Sequence, residues 1–102
     1  MSSAPLFAAL GDPHRLRIVR HLSRRGPQSV GRLTKGSGIS RQAISKHLRI
    51  LERAGVVRRS RRGRERFAEL EPPRIQHARQ FLAEVSADWD GALARLRRLV
   101  EG

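Results

Sequence analysis

The clearest hydrophobic pattern in the chain runs from Ser40 to Gly55, SRQAISKHLRILERAG. Ile44, Leu48 and Leu51 fall at i, i+4 and i+7, the spacing of one buried helix face. Ser40 stands where a helix N-cap accepts a backbone N–H. Gly55 stands where a left-handed C-terminal cap is wanted. The opposite face carries Arg41, Gln42, Ser45, Lys46 and Arg49 without a carboxylate among them, and Glu52 enters only near the end. A helix with one apolar side and one donor-rich side is suited to lie on a core and face an anion.

The same reading places the other elements around it. PLFAAL, Pro5 to Leu10, is a short apolar helix. Asp12-Pro13 is a strong helix start, an acidic cap followed by proline at the first helical position. From Pro13 to about Arg24, Leu16, Val19 and Leu22 recur every three residues with Ile18 beside them, and Arg15, Arg17, Arg20, Arg24 and Arg25 are the exposed set. Gly26-Pro27 ends that helix. Ser29 caps a short helix of about two turns that buries Val30 and Leu33, and Gly36-Ser37-Gly38 breaks it before Ser40. Two short helices joined by a glycine-containing turn, the second polar on its outer face, make a helix-turn-helix pattern.

After Gly55 the period changes from 3.6 to 2. Val56 to Ser60 reads as a strand, Arg61 to Arg64 as a turn, and Glu65 to Leu70 as a second strand anchored by Phe67 and Leu70. A hairpin directly after such a helix is the wing of a winged helix. Pro72-Pro73 then opens a helix to about Val100, along which Ile75, Ala78, Leu82, Val85, Trp89, Leu93, Leu96 and Leu99 alternate by three and four. The expected fold is mainly α with a small β-hairpin: a winged helix-turn-helix of about five helices forming one domain, residues 1–102. Its core is 3–71, and 72–100 is a long C-terminal dimerisation helix. That last apolar stripe is too long for a chain this small to cover alone. A second copy, rather than a fold back onto the chain's own core, is the expected cover, with Leu6, Phe7, Leu82, Val85, Trp89, Leu93 and Leu96 at the interface. A small molecule near Phe81, Val85 and Trp89 is the other use of the same surface, and the sequence does not say what effector, if any, that is.

Charge narrows the partner. The chain carries 22 Lys+Arg against 9 Asp+Glu, a formal net charge of +13 that favours a polyanion. The surplus peaks between Ser40 and Arg66, whereas the last third is nearly neutral. There is no cysteine, so disulfides, thiolate metal sites and thiol redox sensing are excluded. The first residues lack the basic-then-apolar order of a signal peptide. No apolar run approaches the ~20 residues that span a bilayer. The expected location is therefore cytoplasmic and nucleoid-associated, with no membrane partner. No nucleophile–base–carboxylate set and no phosphate-cradling glycine loop is visible, so an enzyme is not expected. His14 and His21 lie on an arginine-rich helix, and His77, Glu84, Asp88 and Asp90 lack a second histidine, so neither a metal nor any other cofactor is expected. His47, beside the buried stripe, reads as a packed histidine.

On double-stranded DNA, phosphates supply most affinity and base edges supply sequence choice. Arg41, Gln42, Ser45 and Lys46 occupy the first two turns of their helix, the part that reads bases. Arg49, and Arg59, Arg61, Arg62 and Arg64 of the hairpin, suit phosphate or a narrow minor groove. Ser29 and Thr34 suit phosphate also, although capping and packing explain them equally. A nonspecific nucleoid-binding protein fits the charge as well as a sequence-specific regulator does.

Three stretches, LFAALGDPHRLRIVRHL, SVGRLTKGSGISRQAISKHLRILERAGVV and RRGRERFAEL, resemble the ArsR family of winged-helix repressors. The resemblance covers about residues 5–70 with a compatible helix after, and is nearest to the metal-independent branch with an aromatic midway along the last helix, here Trp89. It implies a homodimer that binds an inverted repeat and represses transcription. It also implies base reading by Arg41, Gln42, Ser45 and Lys46. Gly36 departs from the helix former more usual at that position.

Overall fold

The computed structural model describes residues 3–101. The chain runs α1 (Ala4–Leu10), α2 (Pro13–Arg25), β1 (Gln28–Ser29), α3 (Val30–Thr34), α4 (Arg41–Arg53), β2 (Val57–Arg62), β3 (Glu65–Leu70) and α5 (Pro72–Glu101). Three helices start on the caps their sequence provides. The Asp12 carboxylate accepts the backbone N–H of His14 at 2.9 Å and of Arg15 at 3.1 Å. Ser29 Oγ accepts from Arg32 N, and Ser40 Oγ from Ala43 N. Each cap satisfies donors that the first helical turn leaves without a partner.

The core is the space enclosed by these short helices and the base of the sheet. Ile44, Leu48 and Leu51 of α4 form its centre, and Leu48 and Leu51 are 0% exposed. Around them pack Ile18 and Leu22 of α2, Val30 and Leu33 of α3, Leu6 and Ala9 of α1, and Val56, Val57 and Ala68 from the sheet end. On α2 the buried face is rotated from the expected one: Ile18 and Leu22 are buried at i and i+4, while Leu16 is 46% exposed. Every apolar position on this helix sits near another, so periodicity alone placed the face one residue off. Arg15 also leaves the expected exposed set, because its Nε donates to the Ala9 carbonyl at the end of α1.

The helix α3 spans only five residues, shorter than the two turns expected. Gly36 follows at φ +70, beyond the helix rather than in it. Ser37 closes the turn: its buried hydroxyl donates to the Thr34 carbonyl at 2.7 Å and accepts the Ile39 N–H at 3.2 Å. That bracket fixes where α4 begins.

The hairpin is longer and tighter than expected. Arg61 and Arg62 continue β2, and the loop is just Gly63-Arg64, with Gly63 at φ +62 in the glycine-first arrangement of a two-residue hairpin. A third strand, β1, pairs antiparallel with Phe67 and Ala68, giving the order β1-β3-β2. Register settles which side each residue faces. Val57 pairs with Leu70 and Arg59 with Ala68, so these share the core-facing side. Ser60 and Phe67 fall on the other. Ala68 is therefore the buried anchor beside Leu70, and Phe67, expected in the core, lies half-buried on the outer face.

The α5 helix is 30 residues, about 45 Å at 1.5 Å per residue. It touches the core through Ile75 and buried Ala78, and beyond them the apolar stripe stands in solvent, with Trp89 65% exposed. The molecule is accordingly 66 Å long and only 28 × 21 Å across.

Candidate nucleic-acid interface

The outward side of α4 presents Arg41, Gln42, Lys46 and Arg49 fully and Ser45 partly. None of the five makes a side-chain hydrogen bond or ion pair among the described residues. Their donors are held by a helix whose inner face is locked in the core, and no internal partner has to be displaced before they meet a ligand. This is the arrangement the sequence pattern led us to expect.

The wing divides its arginines differently. Arg59, on the core-facing side, reaches Glu52 Oε1 of α4 at 3.0 Å. It is a strut between helix and wing, not one of the free cations. Arg58, not singled out from sequence, bonds to Glu69 at 2.6 Å directly across the sheet. The Arg62 guanidinium lies 4.7 Å from the centre of the Phe67 ring. Arg61, Arg64 and Arg66 remain exposed with no partner among the described residues. Arg61 stands directly opposite Arg66 in the register. Like charges so placed repel each other, and an anion between them relieves the repulsion. Arg66 was missed because the sequence reading placed Arg61 in the turn, where it has no cross-strand neighbour.

Two expected phosphate contacts are already engaged. Ser29 is buried, and its hydroxyl is the α3 cap. Thr34 Oγ1 donates back to the Val30 carbonyl at 2.8 Å. Of the residues expected at a subunit interface, Leu6 is instead in the protomer's own core, 3% exposed. Phe7 is half-buried with its ring 5.6 Å from that of Phe81 on α5, so α1 braces the start of the exposed stripe. Leu82, Val85, Trp89, Leu93 and Leu96 all lie exposed along α5. Among the described residues no three His, Asp or Glu side chains are grouped to hold a metal ion. No helix there is long and apolar enough to cross a membrane.

His47 is packed under α4 against the start of α2. Its Nδ1 accepts from Arg15 Nη1 at 3.3 Å, lies 4.0 Å from Asp12 Oδ1, and its ring is 5.5 Å from that of His14. Burial lowers its pKa below the ordinary 6.5. Asp12 opposes that shift, and Arg15, His14 and Lys46 add to it. The folded chain then takes up this proton less readily than the unfolded chain does. Stability is undiminished above pH 6.5 and falls as the pH drops from there through the lower folded value. In thermal melts between pH 7.5 and 5, His47→Gln should show a smaller decline than the parent. An equal decline in both would exclude His47 as its source.

A helix-turn-helix with a partner-free cationic face, backed by a core and followed by a two-stranded wing with free arginines at its end, defines a winged-helix DNA-binding domain. Comparison with known proteins narrows the class. A helix-turn-helix domain family matches residues 10–60. The HTH-type transcriptional regulator Rv2034 of Mycobacterium tuberculosis is 32% identical over 95 residues, covering 93% of this chain and 85% of that protein. An ArsR-like transcriptional regulator from Rhodococcus sp. RHA1 superposes with a TM-score of 0.74 at 34% identity, over 95% of this chain and 91% of that one. The homodimeric winged helix-turn-helix DNA-binding domain of a possible ArsR-family regulator from Mycobacterium bovis gives 0.66 at 28% identity, over 83% and 77%. The chain belongs to the ArsR family of winged helix-turn-helix transcriptional regulators, which are not enzymes.

Proposed function

We propose that this regulator is a homodimeric repressor that reads an inverted-repeat operator in the cytoplasm, where the chromosome is. The observation that carries the reading is the unpartnered α4 face. Arg41 is suited to fork onto guanine, Gln42 to pair with adenine, and Ser45 and Lys46 to donate to a base edge or an adjoining phosphate. Arg49 meets backbone phosphate, and Arg61, Arg64 and Arg66 follow the strand flanking each half-site. Arg59 and Arg62 support the wing from within.

The exposed stripe of α5, with Phe7 beside it, supports two copies on one symmetric site, and a relative of this fold that is homodimeric supports it further. Two α4 helices related by a two-fold axis reach half-sites about one helical turn apart, roughly 34–36 Å. A dimer seated there covers DNA that a polymerase needs, which is repression by occupancy. Neither a cofactor nor a metal enters this scheme.

Selection from a randomised duplex library, followed by titration against the selected site and scrambled DNA, tests it. A palindrome should emerge. Gln42→Ala and Ser45→Ala should each lose about 1–3 kcal/mol of preference for that site while binding scrambled DNA as the parent does. A selected-to-scrambled ratio near one for the parent at all salt concentrations would instead establish a nonspecific nucleoid protein.

A further inference from the structure

The basic surface does not stop at α4 and the wing. On α2, Arg17, Arg20 and Arg24 fall at i, i+3 and i+7, one helical stripe. All three are exposed, and none is ion-paired among the described residues. They line a shallow trough of about 480 Å³ that contains no acidic residue. Arg17 Nη2 donates to the Gly36 carbonyl at 2.7 Å, in the turn just ahead of α4. Lys35, next to that glycine, borders both the crevice between α2 and α4 and a second trough, about 520 Å³, that it shares with Arg32 of α3 and with Glu65 on the wing side. Exposed cations thus run from Arg32 over Lys35 and Arg17 to Arg20 and Arg24, with Glu65 facing only the Arg32 end. The base-reading and wing residues use none of them.

Two kinds of polyanion suit such a belt, an acidic protein segment and nucleic acid. A protein segment needs apolar anchorage at the centre of its contact. The α2 trough offers only one large apolar side chain, the half-exposed Leu16. A phosphate backbone needs no such anchor. From Arg17 to Arg24 is about 10 Å along the helix, enough to reach two or three successive phosphates of one strand. Arg17 also fastens the belt to the turn that positions α4, so the belt continues outward from the half-site itself.

We propose that DNA flanking the operator runs back along this belt, so that each protomer holds phosphate outside its half-site as well as inside it. This rests on the operator reading above. The test uses two duplexes carrying the same selected site and the flank that the wing reaches, one bare beyond that point and one extended by ten further base pairs of unselected sequence on each side. The parent should bind the extended duplex about tenfold tighter, with a steeper dependence on salt. The double variant Arg20→Gln/Arg24→Gln should bind the bare duplex as the parent does and lose the gain from the flanks. Its salt slope on the extended duplex should fall by about 1 for each arginine removed, about 4 in all for two arginines in each of two protomers. Arg20→Lys/Arg24→Lys should keep most of the gain, because phosphate recognition needs charge more than the guanidinium fork. Equal affinity of the parent for both duplexes would overturn the proposal and leave an acidic protein as the belt's partner. An unchanged gain in the glutamine variant would overturn it also. Failure of the parent to bind even the bare site would remove the operator reading itself.

Discussion

Exchanging Val85 and Trp89 together for glutamate should yield a folded monomer whose operator affinity is lower by roughly two to four orders of magnitude. The fold should survive because α5 leaves the core after Ala78, and both side chains stand in solvent within the protomer. The oligomer should not survive. Leu82, Val85, Trp89 and Leu96 follow a three-and-four spacing, the seam of a helix pair. A two-fold axis brings both copies of each new carboxylate to that seam, where they are poorly solvated and of like sign. Without the dimer, the second half-site is no longer held at high effective concentration, which is where the loss in affinity arises. Sedimentation equilibrium with a DNA titration checks both parts. A variant that remained dimeric at low micromolar concentration would place the interface elsewhere.

The largest effect on stability is expected at Leu51. Truncation to alanine should cost about 3–4 kcal/mol, read as a shift of the denaturant midpoint at unchanged slope. Leu51 has no exposed surface and sits with Leu48 and Ile44 where α4 meets the rest of the core. A chain this small has a total stability on the order of 5–10 kcal/mol, so the loss is a large share of it. DNA binding should fall with it, since the outward face of α4 is positioned only by its inward face. Leu16→Ala, on the half-exposed side of α2, should change stability by less than about 0.5 kcal/mol. Comparable losses at the two positions would show that α2 packs by the face the sequence pattern first suggested.

Local chemistry was easy to read from the chain. Asp12, Ser29 and Ser40 each cap a helix, because a cap needs only its own next turn. The α4 face was equally plain, since its apolar positions are spaced without ambiguity. What the sequence did not reveal depends on partners distant along the chain. β1 is two residues long, too short to show a period, and exists only because Phe67 and Ala68 lie beside it. Phe67 was read as the core anchor of its strand, but strand parity gives that place to Ala68. Arg59 looked like a DNA contact until Glu52, on another element, came within reach. Leu6 looked like interface because nothing local showed that the short helix folds under the core. The exposed donors of α4 were legible as chemistry, whereas the free members of the wing required the register.

The pairing of β1 ends at Phe67, and this divides the wing mechanically. Below that point three strands are tied to α3 and to the core. Beyond it Arg61 to Arg66 extend on two strands alone, a cantilever clamped at its root. The clamp is tied to α4 through the Arg59–Glu52 pair, so the tip can bend about its root while the root stays fixed to the helix. The same division separates two histories of change. Substitutions at the exposed Arg61, Arg64 and Arg66 change the charge of the tip at little cost to folding, whereas Gly63 is held by its positive φ and Ala68 by the core.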